Sequence, residues 1–242
     1  MSYQNWGLDE YRGGWDFGGQ ERRDQAATLA LFHAKRGVRN LSYCLYLRPF
    51  GSVNRLTAQI APIQVVGSRY LDFESILRKA VEGLNGAYYA RGSAYMHLVA
   101  LSEYALPILG AGLIGTTDEE WRDDFLALAP AVRLIVAVPS ARPGTLWELS
   151  QIAQNAWWQK TLYMMPESVH ARDEQVVAAA DWEKARKAAG KVGGDLPPYD
   201  KNGAIFKLGP SGSVLGTRPL RLTQRLRRVS HLRRVINELR PL

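Results

Sequence analysis

Between Pro139 and Leu149 the chain reads Pro-Ser-Ala-Arg-Pro-Gly-Thr-Leu-Trp-Glu-Leu. The apolar run Val132–Val138 ends there, a hydroxyl residue and a Pro-Gly pair follow, and a helical pattern begins with Trp147 and Glu148 in its first turn. A carboxylate delivered in this way to the end of a strand is suited to bind ribose hydroxyls. It is equally suited to stabilise the cationic sugar of an oxocarbenium-like transition state. Ser140 and Thr145 are placed to donate to a phosphate or a hydroxyl. An acidic side chain in a first helical turn also has a purely structural use, because it complements the helix dipole. Spacing alone does not separate these two uses of Glu148.

Arg48 closes the run Leu41-Ser-Tyr-Cys-Leu-Tyr-Leu47 and is followed by Pro49 and Phe50. Its planar fork suits a phosphate or a carboxylate bidentately, and an ion pair that fixes a loop is the even alternative. Gly110-Ala-Gly112-Leu-Ile-Gly115 matches the dinucleotide fingerprint in letters only. Pro107 interrupts its approach, and the next helix begins after Gly115, so a glycine turn near the ligand edge is the expectation. The four histidines (33, 97, 170 and 231) have no metal-ligand spacing, and Cys44 is the sole cysteine, so no metal and no disulfide are expected. Neither a GxSxG elbow nor a Walker loop is present.

The elements that must position these residues alternate. Helical patterns are expected at Glu21–Arg36, at 72–82, from the capping box Thr117-Asp-Glu-Glu120 through Ala129, at Thr145–Trp157 and at Asp173–Ala189. Strands are expected at Leu41–Leu47, His97–Leu101, Val132–Val138, Thr161–Met165 and Ala204–Leu208, with Ile60–Val66 of uncertain type. Continuous apolar strands between helices imply an α/β fold with a parallel sheet covered on both faces. Ligands in such sheets bind beyond the carboxyl ends of the strands, near the switch point. We divide the chain into an aromatic and Gly-rich segment with a helix (1–40), an α/β domain (41–190), and a C-terminal extension with a loop, a short strand and a basic amphipathic helix (191–242).

Hydrophobic residues make up 46% of the chain and charged residues 22%, which fits a globular protein. The polar start and the interrupted apolar runs point to neither a targeting segment nor a membrane span, and so to the cytoplasm. The net charge of +8 is localised. Thr217–Leu242 holds eight Arg and one Glu, and the other 216 residues carry 23 basic against 22 acidic groups. A basic tail is weaker evidence for nucleic acid than a basic face. Its apolar stripe Leu222, Leu226, Val229, Leu232, Ile236 and Leu239 suits docking on its own domain or on a partner subunit.

The segments Leu134-Ile-Val-Ala-Val-Pro-Ser140, Leu146-Trp-Glu-Leu149 and Lys160-Thr-Leu-Tyr-Met-Met-Pro166 resemble the third strand, helix and fourth strand of TIR-like domains. With Leu45-Tyr-Leu-Arg-Pro-Phe50, the chain also resembles bacterial TIR-like proteins that pair a Leu-Arg-Pro-Phe strand end with a Gly-Thr-Leu-Trp-Glu-Leu helix. The likeness covers about residues 41–166 and implies a flavodoxin-like sheet. TIR-like enzymes cleave the nicotinamide–ribose bond of NAD, and nucleoside deoxyribosyltransferase-like domains place a glutamate at the same point for related chemistry. In many TIR domains the Trp precedes the Glu by three residues, whereas Trp147 adjoins Glu148.

The resemblance implies an NAD glycohydrolase of bacterial defence or a toxic effector, without a metal or cofactor and with NAD as substrate. Glu148 would be catalytic, Arg48 would hold phosphate, and Phe50 and Trp147 would wall the pocket beside Ser140 and Thr145. A homo-oligomer is implied as well. Many TIR domains are pure interaction modules, so a non-catalytic nucleotide-sensing or self-assembly module is the alternative, and nucleic-acid binding through the tail a further one.

Overall fold

The structure is a computed structural model that describes residues 17–48, 58–59, 70–71, 73–84, 96–102, 111–167, 172–222 and 227–239. In chain order the elements are α1 (Phe17–Lys35), β1 (Leu41–Leu47), β2 (Ala58–Gln59), β3 (Tyr70–Leu71), α2 (Phe73–Glu82), β4 (His97–Ser102), β5 (Gly112–Gly115), α3 (Trp121–Ala131) and β6 (Val132–Ala137). There follow α4 (Pro143–Gln154), a 3-10 turn (Trp157–Lys160), β7 (Thr161–Met165), α5 (Arg172–Gly190), β8 (Ala204–Leu208), β9 (Val214–Pro219) and α6 (Arg228–Leu239). Ile60–Val66 and Phe50 lie outside the described residues.

The α/β class is as expected, with helices on both faces of one seven-stranded sheet of order β5-β4-β1-β6-β7-β8-β9. The pairs among β5, β4, β1, β6 and β7 are parallel. The expected parallel sheet is thus present, and two antiparallel strands extend it, β8 against β7 and β9 against β8. A run of apolar residues reveals a strand but not its direction. After α5 the segment 191–203 returns to the carboxyl end of β7, where Ala204 pairs with Met165, so β8 must run back. The short β5 also stands outside β4, so the four long parallel strands have the order β4-β1-β6-β7 with an added edge.

Side chains alternate across the sheet. Leu45, Leu47, Val99, Leu101, Ile135, Ala137, Tyr163 and Met165 face one way, against α1, α3, α4 and α5. Cys44, Tyr46, Leu98, Ala100, Leu134, Val136, Leu162 and Met164 face the other, against α2 and α6. Strands β1, β4, β6 and β7 are therefore buried on both sides, which is why their sequences are nearly continuous apolar runs. Half of the expected capping box forms: Thr117 Oγ1 accepts from the Glu120 amide at 3.2 Å, but the Glu120 carboxylate takes the Thr117 hydroxyl at 3.3 Å instead of a backbone amide, and α3 begins only at Trp121. Helix α1 ends at Gly37, whose φ of +81° suits the left-handed turn that closes it. It begins earlier than expected, at Phe17, because the first turns pack on the sheet: Gly19 and Gln20 are buried.

The basic tail is folded into the body. Leu232, Val235, Ile236 and Leu239 of α6 are buried in the core below α2. Arg233 donates to the carbonyls of Lys79 (3.0 Å) and Ala80 (3.4 Å) near the end of α2. Arg228 donates to the Leu222 carbonyl at 2.9 Å, and Arg218 and Arg234 both pair with Glu238. Four of the tail's arginines thus serve internal contacts. Among the described residues no helix is long and apolar enough to cross a membrane.

The expected glycine turn at 110–115 is instead, over Gly112–Gly115, the edge strand β5. Gly112 is required by packing, since a Cβ there would lie 2.3 Å from the Arg23 carbonyl oxygen of α1. Gly112→Ala must push α1 off the sheet, and its urea midpoint should fall by the equivalent of about 1–3 kcal/mol. Gly115→Ala, where the added carbon meets nothing within 4 Å, should leave it within about 0.5 kcal/mol.

Candidate functional site at the carboxyl edge of the sheet

From β1 the chain crosses to β4 on one side of β1, and β6 later pairs on the other side, so the sheet divides between β1 and β6. The Val138 amide donates to the Leu47 carbonyl at 2.8 Å, which carries the β1–β6 pairing to the last residues of both strands. Arg48 and the turn 139–142 therefore leave the sheet side by side, at the position where open α/β sheets bind ligands.

Pro143 opens α4, where a missing amide costs nothing and the fixed φ is already helical. Arg142 precedes it in an extended conformation, without a side-chain cap. Ser140 ties the turn. Its hydroxyl accepts from the Arg142 amide at 3.3 Å and donates to Thr145 Oγ1 at 3.0 Å. Both hydroxyls expected to meet a ligand are thus linked to each other, and Thr145 keeps a proton of its own to donate.

Glu148 follows Thr145 by three residues, and so shares its side of the helix. It is 3% exposed, and no hydrogen bond or ion pair to it occurs among the described residues. Burial pushes its carboxyl up to about 8, because the charged form has lost water and gained no partner. The helix starts at Pro143 rather than Thr145, so Glu148 lies in the second turn. The dipole effect fades beyond the first turn and gives no reason for a buried carboxylate here.

Trp147 points elsewhere, since adjacent helical residues diverge by about 100°. Its ring meets Trp121 edge-on at 5.0 Å and Phe125 at 5.5 Å, and the Arg122 guanidinium covers both indoles. It locks α4 to α3. Arg48 alternates with Leu47 and so turns to the α2 side, where it pairs with Glu74 at 3.2 Å with both side chains buried. Glu148, Thr145 and Ser140 are brought together, whereas Arg48 shares the edge but is held from the opposite face.

The loop ahead of β8, expected only as a connection, ends in the turn Pro197-Pro-Tyr-Asp-Lys-Asn-Gly203, which reaches the same edge. The Asp200 amide donates to Met165 Sδ at 3.0 Å, and Asp200 Oδ1 accepts from the Asn202 amide at 2.8 Å. The Trp182 indole N–H holds the Pro197 carbonyl at 2.8 Å and so fixes the loop. Its dense turn chemistry was the available signal. Among the described residues no group of three His, Cys, Asp or Glu could hold a metal ion.

The unpartnered carboxyl has a consequence for stability. In the unfolded chain Glu148 ionises near 4.5, and in the folded protein it keeps its proton up to about 8. Between these values the folded state binds more protons, so stability falls as pH rises through the window. Glu148→Gln, which cannot ionise, should become progressively more stable than wild type over that range, by on the order of a few kcal/mol at its top. Urea unfolding of both proteins at successive pH values checks this, and a difference independent of pH would contradict it. A scan against protein-family models and searches of curated proteins and of solved structures found no match for this chain.

Proposed function

We propose that this protein is a TIR-like N-glycoside hydrolase that cleaves the nicotinamide–ribose bond of NAD, with Glu148 as the catalytic carboxylate. The observation that carries the reading is the burial of Glu148 beyond the carboxyl end of β6, with no hydrogen-bond or ion-pair partner among the described residues. A desolvated carboxylate interacts strongly with a cation, because little water screens it. The nicotinamide–ribose linkage is cationic before cleavage, and the sugar is cationic during it. As the C–N bond breaks, its electron pair leaves with nicotinamide, which departs neutral, and the positive charge moves onto the ribose. The Glu148 carboxylate stabilises that charge at the sugar. Water then adds to the anomeric carbon and releases a proton, which gives ADP-ribose.

Ser140 and Thr145 orient the ribose hydroxyls in this scheme. Arg48 meets a phosphate only on leaving Glu74, so its contribution is to the bound state. Depletion of NAD by such an enzyme suits a role in bacterial defence or as a toxic effector.

The pH dependence follows from the Glu148 environment. For the free protein the active, ionised form grows in as pH passes about 8, so kcat/KM should rise through that value. A cationic substrate favours the ionised form, so the same limb in kcat should lie at lower pH. Glu148→Gln should reduce nicotinamide release by a factor of about 10²–10³. Equal release by both proteins, with the fold intact, would remove Glu148 from the chemistry.

A further inference from the structure

A small cavity lies between the last turns of α4, the end of α5 and the turn from β8 to β9. Leu149, Tyr163, Leu196 and Leu208 are buried and form its floor, with Trp158 half-buried at one side. Ala153, Gly193 and Pro210 are exposed and form its mouth. Strand β8 ends at Leu208 and runs antiparallel to β7, so the cavity opens at the amino edge of the sheet, opposite the edge that holds the turn before Glu148. A sealed void is a packing defect, whereas this one is reached from solvent.

No charged side chain lines the cavity, which excludes an ion as its occupant. Of the lining side chains only Tyr163 and Trp158 carry a polar atom, and neither makes a side-chain hydrogen bond among the described residues. Tyr163 is 3% exposed, and its ring stacks on Phe206 at 5.6 Å. A phenylalanine would make the same stack without desolvating a hydroxyl, which opposes folding when the hydroxyl has no partner. Burial pushes the Tyr163 phenol above its ordinary value, so the group keeps its proton and remains a donor.

The space measures about 30 Å³, roughly twice what one water requires. A buried water needs about three polar partners. The amides of Gly194, Gly209 and Gly212 in the lining are already taken by the carbonyls of Ala189, Ser213 and Gly209. Water is therefore poorly held there.

We propose that this cavity binds a small neutral molecule with an apolar body and a carbonyl oxygen, and that the carbonyl accepts the Tyr163 hydroxyl. A few heavy atoms fill the space against Leu149, Leu196 and Leu208, and a longer body extends through the mouth past Ala153. The site does not rest on the role given to Glu148.

Methyl-resolved NMR of the full chain, titrated with 2-butanone, tests this. Shifts should saturate at the methyls of Leu149, Leu196 and Leu208 and leave those of Leu98 and Leu134, on the other face of the sheet, unmoved. Tyr163→Phe should weaken 2-butanone about fivefold, through the loss of one hydrogen bond. Xenon, which has no acceptor, should bind both proteins equally. Ala153→Leu, at an exposed helical position, should plug the mouth and abolish both. No saturable shift at the three floor methyls, an unchanged 2-butanone affinity or a parallel loss of xenon in Tyr163→Phe, or binding that survives Ala153→Leu would overturn the proposal.

Discussion

A carboxyl taken out of water without a cation or donor beside it opposes folding once it ionises, and among the described residues Glu148 is such a group. The surrounding structure has to hold it there. The β1–β6 pairing fixes where the turn leaves the sheet, Pro143 sets the first turn of α4, and the Ser140–Thr145 link closes the corner. On the far side of the helix, Trp147 is packed among Trp121, Phe125 and Arg122. Rotation of α4 to bring Glu148 into water would break that aromatic contact. The tryptophan thus serves the glutamate indirectly, by opposing the relaxation that would relieve it.

The rest of the molecule reads as support for this edge. Apolar strands buried on both sides provide a rigid sheet, and the C-terminal segment extends it through β8 and β9 before α6 covers the face opposite α4. The Arg48–Glu74 pair spans β1 and α2 beside the switch point. A buried pair of this kind is costly to break by removing one partner, so it holds the start of α2 near the end of β1. It also restricts what Arg48 offers a ligand.

Much of the fold was legible because buried strands and helices impose different periods on apolar residues. Leu41–Leu47, Thr161–Met165 and Ala204–Leu208 have the expected bounds. What escaped was long-range. The direction of β8 depends on the path of 191–203, and β9 is an exposed strand whose residues lack the alternation that would reveal it. The glycines at 112 and 115 suggested a turn because their letters do not record that a helix lies against one of them. At the site, the strand–turn–helix pattern was enough to place Glu148, Thr145 and Ser140 at one edge. The pairing of Arg48 with Glu74 and the packing of Trp147 on α3 depend on residues distant in sequence, which no local pattern records. Phe50 lies outside the described residues.

In the proposed function, burial keeps the Glu148 carboxyl neutral in the free protein and a cationic substrate makes it anionic. Carbon-detected NMR of the Glu148 side-chain carboxyl, titrated with and without NAD, tests it most directly. In the free protein the resonance should titrate near 8, and saturation with NAD should move the midpoint to lower pH. Titration at the ordinary carboxylate value in the free protein, or a midpoint unmoved by NAD, would contradict the account.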